Sequence, residues 1–301
     1  MKLSQSIDQF IEYCQLEKGK SKKTIENYSH YLGRFLNFTK NINVSEIDEK
    51  KIRTFRLHLL THKNTHHESI SQKTQNYHLI ALRSFLKFLQ KKDIPSFSPE
   101  KIELIKEKKE PPEFLEQEEI DQLLATFKDA KDIQNLRDNA ILQTLFSTGL
   151  RVSELIKLTK ENLGFDRQEI SVTGKGGKSR VVFLSDNCFQ TIKKYLAIRK
   201  DINPYLFVSH HKKNQNTSVL TARSIQRIIR KTAKKAGLVK KVTPHTLRHS
   251  FATDLLINGA DLRSVQSLLG HSSITTTQIY THLTDKHLKE VHQKYHRQKN
   301  H

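Results

Sequence analysis

The sequence predicts a mainly α-helical protein of two domains, with one small β-sheet confined to the second domain. Three observations predict it. The chain has 301 residues, enough for two domains of roughly 100 to 200 residues each. Helical apolar periodicity dominates, and only 10 Gly and 6 Pro interrupt it. One pair of runs rich in Val and Ile, Ile170–Thr173 and Arg180–Leu184, departs from that period and reads as a strand pair.

In order, the first hundred residues read as four helices, with Ser4 or Ser6, Ser21, Ser45 and Ser71 as candidate N-caps. Ser45 followed by Asp48 imitates a capping box. The fourth helix, from Gln72 to about Lys92, places Tyr77, Ile80, Ala81, Phe85 and Phe88 near one face, with Lys73, Arg83 and Lys87 elsewhere. Four of the six prolines then fall between Pro95 and Pro112, around the charged run 106–110. Helix cannot easily continue there. The predicted division is an N-terminal helical domain over 1–105, a linker over 106–113, and a second domain over 114–301. In that domain 116–127 and 134–148 read as helices, the latter running into Gly149. The strand pair follows, joined by Gly174-Lys175-Gly176-Gly177-Lys178, where glycine suits the positive φ of a hairpin turn. Helix then resumes to the end.

The 52 Lys and Arg against 31 Asp and Glu leave a net charge of +21, which points to an extended polyanion as partner. Residues 1–105 hold 18 basic and 11 acidic side chains, and the remainder hold 34 and 20. Both halves are therefore suited to touch one nucleic acid. No long apolar run or strongly amphipathic anchor supports membrane binding. Cys14 and Cys188 lack C-x-x-C spacing and read as reduced thiols. Asp8 and Glu12 arrive before an apolar stretch accumulates, so no signal peptide is predicted and the cytoplasm is the expected compartment.

Four segments carry candidate chemistry. In Thr148-Gly-Leu-Arg-Val-Ser-Glu, Arg151 follows a glycine turn at a helix start, a place that favours phosphate; alternatively it is a surface arginine paired to Glu154 at i+3. Lys175 at the hairpin tip is either a solvated turn lysine or a proton donor that can enter a DNA groove. The surrounding Gly174–Ser179 is not a Walker loop, because Val172 stands where the first glycine is needed and the segment opens no helix. In Thr243-Pro-His-Thr-Leu-Arg-His, the positions of His245, Arg248 and His249 at i, i+3 and i+4 put them on one face, while Leu247, Phe251 and Leu255 point elsewhere. Zinc is disfavoured, because the metalloprotease glutamate and further ligands are missing from this pattern. Imidazole and guanidinium together suit a phosphodiester. In Leu268-Leu-Gly-His-Ser-Ser, Gly270 ends a helix, His271 occupies the turn, Ser272 or Ser273 caps the next helix, and Tyr280 comes late in it.

Taken together, Arg151, Lys175, His245, Arg248, His271 and Tyr280 in their motifs resemble the catalytic set of the tyrosine recombinase (phage integrase) family. The resemblance covers residues 114–290, and the end of the chain is similar to that of Xer-type members. It implies a four-helix SAM-like core-binding domain that clamps DNA, followed by an α+β catalytic domain. It implies Tyr280 as nucleophile forming a 3′-phosphotyrosine, Arg151 and Arg248 clamping the phosphate, and His245 assisting proton removal. Lys175 would be the acid, His271 a phosphate ligand, and Glu154 and His249 supporting groups. No cofactor or metal is implied. The implied partners are double-stranded DNA with a specific recombination site, a homo- or hetero-tetramer on paired sites, and a second recombinase or a DNA translocase. Resolution of chromosome or plasmid dimers is the expected role. Integration or excision of a mobile element, type IB topoisomerase action and non-catalytic DNA binding are the alternatives. The tail, with Leu288, Val291 and Tyr295 at helical spacing, docks either on a neighbouring protomer or on its own domain.

Overall fold

A computed structural model describes residues 1–62, 69–106, 113–174, 177, 179–210 and 218–270. Contacts divide the chain into two compact units, Met1–Lys109 and Glu110–His301.

The first unit is built from α1 (Leu3–Leu16), α2 (Lys22–Thr39), α3 (Glu49–Thr61) and α4 (Gln72–Lys91). Helical spacing brings Leu3, Ile7, Phe10 and Cys14 of α1, Ile52, Phe55 and Leu59 of α3, and Leu79, Leu82, Phe85, Leu86 and Leu89 of α4 into one buried core. Ser21 and Ser71 accept the N–H groups of Thr24 and Thr74 as N-caps. Two expected caps are corrected. Lys2, with no side-chain cap bond, precedes α1, so neither Ser4 nor Ser6 caps it. Asp48, not Ser45, caps α3, its carboxylate taking the Lys51 N–H at 2.7 Å; Ser45 lies inside a short 3-10 turn, Val44–Glu46. The apolar face of α4 is also rotated from expectation. Tyr77 and Ile80 are exposed at 42% and 37%, because the buried stripe runs through Leu82, Phe85 and Leu89, and Ile80 lies about 200° around the helix from Leu82. Past α4, the Asn76 side chain exchanges two hydrogen bonds of 2.9 Å with the backbone of Ile105.

The second unit starts with α5 (Gln117–Ala125), α6 (Ile133–Thr148) and the single turn α7 (Val152–Leu155). Asp132 caps α6. Gly149 ends it at φ +59°, where a Cβ would stand 2.4 Å from Cδ1 of Phe251. Both the left-handed backbone and the close approach require glycine. Strands β1 (Leu163–Gly164), β2 (Glu169–Thr173) and β3 (Ser179–Phe183) form an antiparallel sheet in that order. Ile170 pairs with Val182, and Val172 with Arg180. Helices α8 (Asp186–Ala197), α9 (Ala222–Lys235), α10 (Pro244–Ile257) and α11 (Leu262–Leu269) follow, with a two-residue pair β4 (Val208–Ser209) and β5 (Ser218–Val219) between α8 and α9. The architecture is mainly α with small antiparallel sheets, as expected. Strand β1 and the pair β4–β5 were not anticipated, since two-residue runs carry no period.

Helix α6 has buried residues around most of its circumference, among them Ala140, Ile141, Leu142, Thr144 and Leu145, and α8 and α10 both pack on it. Both cysteines are buried free thiols. Among the described residues no helix is long and apolar enough to cross a membrane.

Phe85 is fully buried and stacks edge-on to Phe10, so Phe85→Ala should remove about 3–5 kcal/mol from the N-terminal unit. Urea denaturation followed by circular dichroism measures the loss.

Candidate active site

The second unit brings three arginines onto the end of one helix. The last carbonyls of a helix have no partner within it. At the end of α11, where Gly270 turns the chain at φ +62°, three consecutive carbonyls each accept from a different arginine. Leu268 O takes Nε of Arg180 at 3.1 Å, Leu269 O takes Nη2 of Arg248 at 2.7 Å, and Gly270 O takes Nη2 of Arg151 at 3.2 Å. Cations at a helix C-terminus also oppose the negative end of its dipole.

Each arginine reaches this point for a local reason. Arg151 stands just before α7, positioned by the turn at Gly149. Arg248 lies on α10, whose start is set by the Thr243 cap and Pro244. Its side chain is almost wholly buried, and its Nη1 donates to Gly149 O at 2.5 Å. Helix α10 is buried on several sides, with Thr246, Ser250 and Thr253 inside beside Leu247, so the face that carries Arg248 is itself covered at this residue. Arg180 belongs to the inward-facing alternation of β3, opposite Val172 and two residues before the buried Val182.

Glu154 is the common acceptor. Its Oε1 receives Nη1 of Arg151 at 3.0 Å and Nη1 of Arg180 at 3.1 Å, while Oε2 receives the Arg151 N–H and Nη2 of Arg180, both at 2.9 Å. A carboxylate offers about four acceptor sites, and these four bonds fill them. Burial by itself would raise the Glu154 carboxyl, but the Arg180 hydrogen bonds, the Arg151 N–H and the Arg180 charge outweigh it and hold the group below the usual carboxylate range. The i+3 ion pair expected for Arg151 is present, and 36% of the Arg151 side chain stays exposed.

His245 lies in the first turn of α10 and is exposed. Desolvation, then the charges of Arg248 and Arg151, hold its imidazole below the ordinary value. His249, more deeply set, is pushed down to about 4 by burial, then by His245 and Arg248. Both rings are neutral near pH 7, and a neutral imidazole can accept a proton.

Of the expected site residues, Arg151, Glu154 and Arg248 are thus gathered around the turns at Gly149 and Gly270, with His245 and His249 flanking Arg248 on α10. Lys175, His271 and Tyr280 lie outside the described residues, as do Ser272, Ser273 and the tail. Arg180 was missed as a site residue; its signal was an arginine in the inward set of a Val-rich strand. No cluster of metal-ligating side chains occurs among the described residues.

Comparisons with known proteins agree with one another. Residues 113–287 match the phage integrase family, and residues 7–96 match the phage integrase N-terminal SAM-like domain. The chain is 36% identical to tyrosine recombinase XerD of Oceanobacillus iheyensis, covering 98% of this chain and 99% of that protein. It is 38% identical to tyrosine recombinase XerA of Pyrococcus horikoshii, covering 97% and 93%. Among solved structures, a XerH site-specific recombinase bound to palindromic difH substrate in a post-cleavage complex matches with TM-score 0.73 at 25% identity, over 95% of this chain and 83% of that one.

Glu154→Ala should destabilise the second unit by about 3–5 kcal/mol, because it strands the partly buried Arg180 without its counter-charge; urea denaturation at pH 7.5 measures it. A second expectation concerns pH. The folded pKa values of His245 and His249 lie below the unfolded value near 6.5, so the unfolded chain binds protons first as pH falls. Their contribution is complete above about pH 6.5 and is lost progressively toward pH 4. The urea midpoint should drop across that window, and less steeply in His249→Gln.

Proposed function

We propose how this chain works from a premise that the comparisons supply: it belongs to the phage integrase family of tyrosine recombinases and is a Xer-like site-specific recombinase. The observation that carries the proposal is the convergence of Arg151 and Arg248, drawn from two distant stretches of sequence, on the carbonyls that immediately precede His271, with His245 one turn from Arg248 on α10.

A phosphodiester under attack gathers charge on its non-bridging oxygens. Arg151 and Arg248 clamp those oxygens and so favour the transition state over the ground state. Both guanidiniums are held by bonds to carbonyls and, for Arg151, to Glu154, so little reorganisation is needed when charge develops. The Tyr280 oxygen attacks phosphorus, and the bond from phosphorus to the 5′-oxygen breaks. A phenol of unperturbed pKa about 10 must give up its proton; His245, neutral at pH 7, is the acceptor near the phosphate. The departing 5′-oxygen takes a proton from Lys175, and His271 donates a hydrogen bond to the phosphate. His249 and Glu154 support the arginine and imidazole positions. The phosphotyrosine keeps the energy of the broken bond, so a 5′-hydroxyl from another strand can reverse the step without ATP.

The partner is double-stranded DNA bearing a recombination site. The excess of basic side chains in both halves of the chain suits a clamp, with an N-terminal domain of residues 1–105, a linker of 106–113 and a catalytic domain of 114–301. Strand exchange between two sites calls for four protomers, of this chain alone or with a second recombinase. Resolution of chromosome or plasmid dimers is the role that the Xer-named relatives favour, with a DNA translocase as the further partner.

A nicked suicide duplex carrying the bound genomic site tests the reading. The native chain should form a covalent adduct that disappears in Tyr280→Phe, and Arg151→Ala or Arg248→Ala should slow single-turnover cleavage by about 10²- to 10³-fold. An adduct that survives in Tyr280→Phe would refute the assignment.

A further inference from the structure

Arg180 stands outside the set of residues assigned to the phosphate. It nevertheless makes three of the bonds that hold that set in place: two to Glu154 and one to Leu268 O. The partners lie 26 and 88 residues away in sequence, on α7 and at the end of α11. The charge count around Glu154 gives this a consequence. One carboxylate facing one guanidinium is a neutral pair, and a neutral pair attracts phosphate weakly. With Arg180 sharing both carboxylate oxygens, the cluster of Arg151, Glu154 and Arg180 carries one net positive charge. Arg180 also occupies the sites on Glu154 that Arg151 would otherwise take with its second N–H, a bidentate geometry that this side-chain pair favours.

We propose that Arg180 is a positioning residue for DNA cleavage: by saturating Glu154 and gripping Leu268 O, it keeps Arg151 turned toward the phosphate and fixes the end of α11. The inference rests on the function proposed above. It is independent of Lys175, which lies between β2 and β3 in sequence. Gly270 fits the same picture, since a Cβ there would stand 2.9 Å from Nη1 of Arg180. A side chain at that position would make the guanidinium shift from its seat on the helix end.

The suicide duplex again provides the test, now read as cleavage rate at saturating DNA against the DNA concentration that half-saturates it. A misplacement of about 1 Å in a catalytic clamp costs on the order of 100-fold in rate. Arg180→Ala should therefore lose about 100-fold at saturation, while half-saturation moves by less than about threefold. Because Arg180 acts through Glu154, adding Arg180→Ala to Glu154→Gln should cost far less than it does in the native chain. A rate within about threefold of native, a half-saturation that rises in step with the rate loss, or full additivity with Glu154→Gln would each overturn the proposal. Should Arg180→Ala fail to fold by circular dichroism, Arg180→Lys carries the test. That variant keeps the charge but not the fork, and it should lose about tenfold at saturation; a native rate in the folded lysine variant would overturn the proposal. A native chain that forms no adduct on the mapped site refutes the functional reading itself. A native chain that cleaves alongside an unimpaired Arg180→Ala refutes this inference alone.

Discussion

A carboxylate with every acceptor site filled, that of Glu154, sets the positions of two guanidiniums at once, and the other site contacts are arranged around it. Ion pairs of this kind add little to net stability, since desolvation offsets most of the Coulomb gain. Their value lies in geometry. An arginine in water samples many rotamers, whereas one held by a planar fork on a fixed carboxylate samples few. The energy of the hub is thus spent largely on orientation, which a reaction on an anionic backbone needs most.

The helix α11 supplies the second half of the constraint. Its terminal carbonyls would otherwise face water or remain unsatisfied. Here Leu268, Leu269 and Gly270 accept from three arginines belonging to β3, α10 and the turn before α7. Four separate stretches of chain meet at one helix end. A small apolar cluster of Ala252, Leu256, Val265 and Leu269 packs α10 and α11 together beneath that meeting point, so the arginines bind a support that the core already fixes.

Much of this was legible in the sequence where the interaction is local. The i+3 pairing of Arg151 with Glu154, the cap and proline before His245, and the glycines that end α6 and α11 follow from short-range rules and are present in the structure. Ser45 was misjudged because Asp48, three residues on, competes for the same role with a stronger acceptor. The burial of Arg248 was hidden because arginine on a helix reads as a solvent-facing charge. Thr246, Ser250 and Thr253, small polar residues that can be buried once bonded, were the available hint. Arg180 was illegible for a different reason. Neither of its partners is near it in sequence, so no short-range spacing rule pairs them.

The two glycines show how backbone conformation and electrostatics constrain each other. A helix that ends in a left-handed residue turns its chain sharply, exposing its last carbonyls on one side. At Gly149 this places the Arg151 backbone within reach of Glu154 and offers Gly149 O to Arg248. At Gly270 it offers the three carbonyls just described. An L-residue at either position would meet two obstacles at once: strain at positive φ and a collision, with Phe251 and Leu269 in one case and with Arg180 in the other. The arginine geometry is therefore constrained by residues that carry no charge at all. A charged side chain can be aimed only as accurately as the backbone turn beside it allows, and here a Cβ at either turn would displace Phe251 or the Arg180 guanidinium.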